Sequence, residues 1–109
     1  MWGKTIVLSG KQKRYLRGLA NNLNPIMQVG KEGISDALFN SVDDAFNTHE
    51  LIKINILKTC DLDINEVAIE ICSNCSCELI QKIGKTMIFY KRAKEPKIIL
   101  PWANIILKN

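Results

Sequence analysis

The sequence lacks the features by which membrane and secreted proteins are recognised. No apolar run approaches the ~18 residues that a membrane-spanning helix needs. The apolar stretch that opens the chain ends by Leu8, and Lys11, Lys13 and Arg14 follow so closely that it is too short for a secretory signal. No internal repeat or low-complexity segment is present. We therefore expect a cytoplasmic protein without membrane association.

Little in the sequence points to catalysis. No nucleophile lies beside a base or a metal ligand. Asp43 and Asp44 fall on the outer face of a predicted helix, where solvated carboxylates are a simpler interpretation than a catalytic pair. The single histidine, His49, precedes a predicted strand, and a surface or capping role is more common there than a catalytic one. The sequence thus predicts a protein that is not an enzyme and needs no cofactor.

The cysteines raise the question of zinc. Cys72 and Cys75 have the spacing of a ligand pair, but a closed zinc site needs four ligands and usually a second pair. The same two residues continue the apolar stripe of a predicted helix, so we interpret them as small buried side chains. No metal site is expected. The chain contains four cysteines in all: Cys60, Cys72, Cys75 and Cys77.

Charge is segregated along the chain. Residues 1–34 hold six Lys/Arg and one acid. Residues 35–84 hold three Lys/Arg and nine acids, and residues 85–109 hold six Lys/Arg and one acid. If the fold brings both basic ends to one side, that side suits a polyanion such as nucleic acid. The alternative is that the charges are spread over the surface and only keep the protein soluble.

Hydrophobic periodicity predicts one α/β domain with the element order α-β-α-β-α-β-β. Its length of 109 residues and 47% hydrophobic content allow a real core. Helices are predicted over about residues 10–22, 36–48 and 64–74, and strands over 26–29, 51–57, 77–83 and 86–91. Gly84-Lys85 fits a type II′ hairpin with glycine first. Residues 96–109 show no clear period and are either an extended arm or a mobile segment.

The first predicted helix carries a basic face. A capping box is predicted at Ser9 and Gln12, and apolar residues then recur at helical spacing at Leu16, Leu19 and Leu23. Four cations lie on the face opposite those leucines: Lys11, Lys13, Arg14 and Arg17. A solvated face usually mixes signs, and no acid precedes Lys31, so this pattern favours a functional basic surface.

The tetrapeptide Gly30-Lys31-Glu32-Gly33 joins the first strand to the start of the second helix, which Ser35 is predicted to cap. Glycine allows positive φ and a close backbone approach, and the unpaired amides of a helix start attract phosphate. Spacing alone favours the plainer alternative, a tight turn that uses glycine for its geometry.

Several of these segments together resemble the CRM domain, the module of chloroplast RNA splicing and ribosome maturation, in its stand-alone bacterial YhbY-type form. The resemblance covers about residues 7–101. It is carried by Leu8-Ser-Gly-Lys-Gln-Lys-Arg-Tyr-Leu-Arg17, Pro25-Ile-Met-Gln-Val-Gly-Lys-Glu-Gly33, Glu50-Leu-Ile-Lys-Ile54, Ile83-Gly-Lys85, Tyr90-Lys-Arg92 and Pro96-Lys-Ile-Ile-Leu-Pro101.

This resemblance implies a two-layer sandwich with a four-stranded mixed sheet, similar to the C-terminal domain of translation initiation factor three. It implies RNA binding through a GxxG loop like that of KH domains. The implied RNA-binding residues are Gly30, Lys31, Glu32, Gly33, Lys11, Lys13, Arg14, Arg17 and Lys85. Glu32 departs from the pattern, because that position is usually small, polar or basic in the family.

We therefore expect a monomeric RNA-binding protein with a CRM domain over residues 1–101 and a tail over residues 102–109. The resemblance implies ribosomal RNA of pre-large-subunit particles as its partner and a role as a ribosome assembly factor. No small-molecule substrate is expected. The alternative is a protein-interaction module that docks a ribosomal protein or another assembly factor.

Overall fold

The computed structural model describes residues 8–93 together with Lys97 and Ile98. Its elements follow the predicted order: α1 (Gly10–Ala20), β1 (Met27–Val29), α2 (Asp36–Thr48), β2 (Leu51–Ile56), α3 (Ile64–Cys75), β3 (Glu78–Ile83) and β4 (Thr86–Tyr90). No helix in this part of the chain is long and apolar enough to cross a membrane. The predicted tail, residues 102–109, lies outside the described residues.

The strands form one mixed sheet in the order β1-β2-β4-β3, which confirms the predicted four-stranded mixed sheet. β1 and β2 are parallel, whereas β2 and β3 each pair antiparallel with β4. Parallel neighbours need a crossover connection, which α2 supplies between β1 and β2. In the β3–β4 turn φ is +57° at Gly84 and is not positive at Lys85, as the predicted type II′ turn requires.

One face of the sheet packs against α2 and α3. Ile52, Ile54 and Ile56 alternate along β2 as predicted, and all are buried. The two helices contribute Val42, Phe46, Val67, Ala68, Ile71 and Cys75 to the same cluster. This cluster is the larger of the two cores among the described residues.

The other face of the sheet packs against α1. Leu16 and Ala20 are fully buried beneath the helix. They cluster with Leu8, Leu51, Ile80, Ile88 and Tyr90. The expected two-layer arrangement is therefore corrected, because helices lie on both sides of the sheet and form three layers with it. The reason is that β2 and β4 carry apolar side chains on both faces, and each of these faces has to be covered.

The helix starts follow the predicted capping chemistry. The backbone N–H of Gln12 donates to Ser9 Oγ at 3.1 Å, and the backbone N–H of Ser9 donates to the side-chain Oε1 of Gln12 at 2.9 Å, which completes the capping box. Ser35 Oγ accepts from Leu38 N–H and begins α2. α1 ends at Ala20, two residues earlier than predicted, so Leu23 lies beyond the helix and is 36% exposed.

Glu50 is a buried acid that holds the chain after β4. Its carboxylate accepts backbone hydrogen bonds from Ala93 at 3.2 Å, Lys97 at 2.6 Å and Ile98 at 2.7 Å, while only 7% of the residue is exposed. Burial, with a smaller contribution from Glu50, raises the pKa of Tyr90 to about 12. A single carboxylate thus ties the segment around residue 97 to the start of β2.

We predict that Glu50→Ala lowers the free energy of unfolding by about 2 kcal/mol, because three backbone donors lose a charged acceptor. Asp44→Ala is the matched control, since it also removes an acid but from an exposed position on α2. Urea unfolding of both variants checks this. Equal urea midpoints for Glu50→Ala and Asp44→Ala would contradict the role given to Glu50.

Candidate nucleic-acid interface

α1 presents the basic face predicted from the sequence. The helix is anchored to the sheet through Leu16 and Ala20, so its other side faces outward. Lys11 and Arg14 are exposed, whereas Lys13 and Arg17 are half-buried. Arg17 lies in the last turn, where a cation also interacts favourably with the helix dipole.

The two helices on the opposite side of the sheet are acidic. Neither α2 nor α3 contains a lysine or an arginine. Their exposed acids are Asp36, Asp43, Asp44, Glu66 and Glu70. The sheet therefore separates a basic layer from an acidic layer, and a polyanion is attracted to the α1 side and repelled from the other.

The Gly30–Gly33 loop is a tight turn with two exposed side chains at its tip. Gly33 N–H donates to Gly30 O at 2.9 Å, and Lys31 and Glu32 between them are exposed. Gly33 has φ of +62°, a conformation that favours glycine, and a Cβ there would also crowd the end of the Leu62 side chain at 3.0 Å from Cδ1. The loop therefore has the geometry of a tight turn, and it also exposes its tip between β1 and α2, as the sequence predicted.

Gly30 differs from Gly33, because its φ is not positive. A Cβ at this position would lie 3.4 Å from Leu57 Cδ1 and 3.6 Å from Thr59 Oγ1. These are ordinary van der Waals distances, so a small side chain would fit at Gly30. The two glycines of the motif therefore differ, since only Gly33 is set by its backbone conformation.

The loop shares one end of the sheet with the β3–β4 turn. Leu57 N–H donates to Val29 O at 2.9 Å, and Ile56 N–H donates to Lys85 O at 2.7 Å. Lys85 is exposed and thus lies at the same end as Lys31. The predicted cations accordingly form two groups, one on α1 and one at the loop end.

Sequence reasoning missed Lys58, which is exposed immediately beyond β2. The signal that identifies it is the parallel pairing of β1 with β2, because parallel strands end at the same edge and bring Lys58 to the side of the loop. Acids also lie near this end, since Glu32 and Asp61 are exposed and Asp63 caps α3. The loop end is therefore mixed in sign, unlike α1.

The cysteine side chains are free thiols in the layer of α2 and α3. Burial, with a smaller effect of Asp43, raises the pKa of Cys75 to about 11. A hydrogen bond with Cys72 and then burial raise the pKa of Cys77, and the same hydrogen bond lowers the pKa of Cys72.

Metal ligation requires thiolates. Within the described ranges, no three His, Cys, Asp or Glu side chains are grouped to hold a metal.

His49 is the C-cap of α2, in agreement with the capping role expected for it. Its backbone N–H donates to Ala45 O at 2.9 Å, and its ring Nδ1 lies 2.8 Å from Thr48 Oγ1. The side chain is exposed at the end of the acidic layer, away from the loop that follows β1. These contacts give it a structural role.

Comparison with known proteins identifies a family whose sequence model matches this chain. A sequence model of the CRS1 / YhbY (CRM) domain matches residues 8–91. "Probable RNA-binding protein YqeI" of Bacillus subtilis is 43% identical over 93 residues, which are 85% of this chain and 97% of that protein. "RNA-binding protein" of Haemophilus influenzae is 36% identical over 98 residues, which are 86% and 95% of the two chains.

A solved structure has the same fold. The solution structure of the hypothetical protein SAV1595 from Staphylococcus aureus superimposes with a TM-score of 0.74 at 42% sequence identity. The match covers 87% of this chain and 100% of the Staphylococcus chain. The three-helix, four-stranded arrangement is thus shared with a protein of related sequence.

Proposed function

This chain belongs to the CRS1 / YhbY (CRM) domain family, and we propose that it binds RNA through the α1 side of its sheet and the adjoining Gly30–Gly33 loop. The observation that carries the proposal is the separation of charge across the sheet, with the cations of α1 on one side and the acids of α2 and α3 on the other. Relatives that match nearly their full length are named as RNA-binding proteins, which agrees with this assignment.

The contacts would be chiefly to the phosphate backbone. Lysine and arginine side chains neutralise phosphates and release counterions, and this term supplies most of the affinity that does not depend on sequence. Lys13, Arg14 and Arg17 provide such cations along α1, and Lys31 and Lys85 provide them at the loop end. The turn geometry of Gly30 and Gly33 lets the backbone lie close to a phosphate, as in the GxxG loop of KH domains.

The target we propose is ribosomal RNA of a large-subunit precursor, with the protein acting as an assembly factor in the cytoplasm. In this proposal it acts as a monomer and without catalysis. The binding unit would be the domain predicted over residues 1–101, of which residues 8–91 match the family.

A second candidate function is a protein-interaction module. The observation that favours it is the acidic layer itself, where Ile69 on α3 is 63% exposed among acids that would attract a basic ribosomal protein. The two functions use opposite sides of the sheet, so substitutions on one side separate them.

We predict that the triple variant Lys13→Gln, Arg14→Gln, Arg17→Gln binds a ribosomal RNA fragment much more weakly. Each lost phosphate contact should reduce the slope of log affinity against log salt by about 0.7 to 0.9. Titrations at several salt concentrations measure both quantities. Arg14 is exposed, Lys13 and Arg17 are half-buried, and none of the three belongs to the apolar cluster beneath α1, so circular dichroism should report a folded protein.

The matched control for this variant is Asn40→Asp, Asn47→Asp, Ser73→Asp, which lowers the net charge equally through exposed positions on α2 and α3. Its affinity should stay close to that of the unmodified protein. Equal losses in the two triple variants would mean that only net charge matters, and this would contradict a binding surface on α1.

We predict that Lys31→Ala and Glu32→Lys change RNA affinity in opposite directions. Lys31→Ala removes a phosphate contact and weakens binding, whereas Glu32→Lys removes repulsion and strengthens it by up to ~1 kcal/mol at low salt. Both side chains are exposed and both glycines remain, so the fold should not change. Filter binding at low salt measures the effect, and unchanged affinity in both variants would reduce the loop to a turn.

A further inference from the structure

The α1 side of the sheet is only partly covered by α1. The helix packs over the part of this face where Leu51 begins β2 and Tyr90 ends β4. Beyond that part, one residue from each strand forms a row in register across the sheet, which we call the open row. Its members are Gln28 on β1, Asn55 on β2, Thr86 on β4 and Ile83 on β3.

Alternation along the strands assigns the open row to the α1 side. Ile54 and Ile56 flank Asn55 and are both buried in the core formed with α2 and α3, so Asn55 points the other way. Met87, next to Thr86, is buried in that same core. Side chains that are directly paired across strands share a face, and this places Gln28 and Ile83 beside Asn55 and Thr86.

The open row is accessible and equipped to form hydrogen bonds. Gln28 is exposed, Asn55 and Thr86 are half-exposed, and 56% of Ile83 is exposed. Thr86 Oγ1 donates to Asn55 Oδ1 at 2.7 Å, which orients the Asn55 amide and leaves its NH₂ group to donate elsewhere. The Gln28 amide adds a donor and an acceptor of its own.

The surroundings of the open row favour a polyanion as its occupant. Gln28 lies two residues before Gly30, and Thr86 follows Lys85, so the row begins at the loop end, beside Lys31 and Lys85. Lys53 lies on the same face in the direction of α1, where it donates to Leu23 O at 3.0 Å. On the described strands, the acid on this side is Glu78, which pairs with Tyr90 at the far end of the sheet.

We propose that the open row binds the bases of an unpaired RNA segment whose phosphates contact the loop end and α1. This inference rests on the proposed RNA-binding function and adds the class of RNA. Amide side chains read base edges by paired hydrogen bonds. Those edges are accessible in single strands, whereas an A-form helix hides most of them. The row contains no aromatic side chain, so it recognises bases through hydrogen bonds and contact with Ile83, without aromatic stacking.

Nuclear magnetic resonance of the full ¹⁵N-labelled chain tests this directly. A short single-stranded RNA of mixed sequence should shift the side-chain NH₂ signals of Gln28 and Asn55 together with the backbone amide of Lys31. A blunt RNA duplex of the same composition should shift Lys31 but leave both side-chain signals in place. Side-chain signals that stay in place with single-stranded RNA while Lys31 moves would overturn the inference and leave the row to another occupant, such as a protein.

A matched pair of variants measures the contribution to affinity. Asn55→Asp replaces an amide by a carboxylate in the open row, and Asn40→Asp makes the same replacement on exposed α2. Asn55→Asp should weaken binding of the single-stranded RNA about tenfold, and Asn40→Asp should have little effect. Gln28→Glu, at an exposed position of the same row, should weaken binding like Asn55→Asp. If Asn55→Asp lowers the thermal midpoint, the RNA affinity of Gln28→Glu is used in its place.

The outcomes separate the two proposals. An unmodified protein that binds neither RNA contradicts the proposed function as well as the inference. An unmodified protein that binds RNA, with row variants equal to Asn40→Asp, overturns the open row alone and leaves the function in place. Weaker binding by both row variants supports the inference.

Discussion

The structure depends on a sheet that is apolar on both faces. β2 and β4 each bury side chains on alternate sides, with Ile54 and Phe89 towards α2 and α3, and with Leu51 and Tyr90 towards α1. A strand buried on both sides requires a helix on each face, because exposed apolar rows of this size are unstable in water. This requirement, and no feature of the charges themselves, places α1 opposite the other two helices.

The separation of charge follows from that arrangement. Charges segregated along the sequence become segregated in space only because the basic helix and the acidic helices are on different sides of one sheet. The Gly30–Gly33 loop then lies where β1 ends, beside the end of β2 and the Gly84-Lys85 turn. The hydrogen-bonded end of the sheet thus holds the loop, while the cations of α1 supply positive potential on the α1 side.

Much of this could be read from the sequence, because it is local. Periods of 3.6 and 2 predicted the seven elements, the capping box at Ser9 predicted the start of α1, and Gly84 predicted the turn between β3 and β4. The face on which each helix packs could not be predicted, since periodicity shows that a strand has two sides and not what covers them. Lys58 and the open row were missed for a related reason, because both depend on the register between strands distant in sequence.

The claim that RNA lies on the α1 side is tested most directly by lysine footprinting, in which acetylation of each lysine is quantified by mass spectrometry with and without bound RNA. The account predicts that RNA protects Lys13, Lys31 and Lys85. Lys82 is the internal reference, because it pairs with Met87 and hydrogen-bonds Asn65 of α3 on the acidic side. Its reactivity should not change. Protection of Lys82 with no protection of Lys13 would contradict the account.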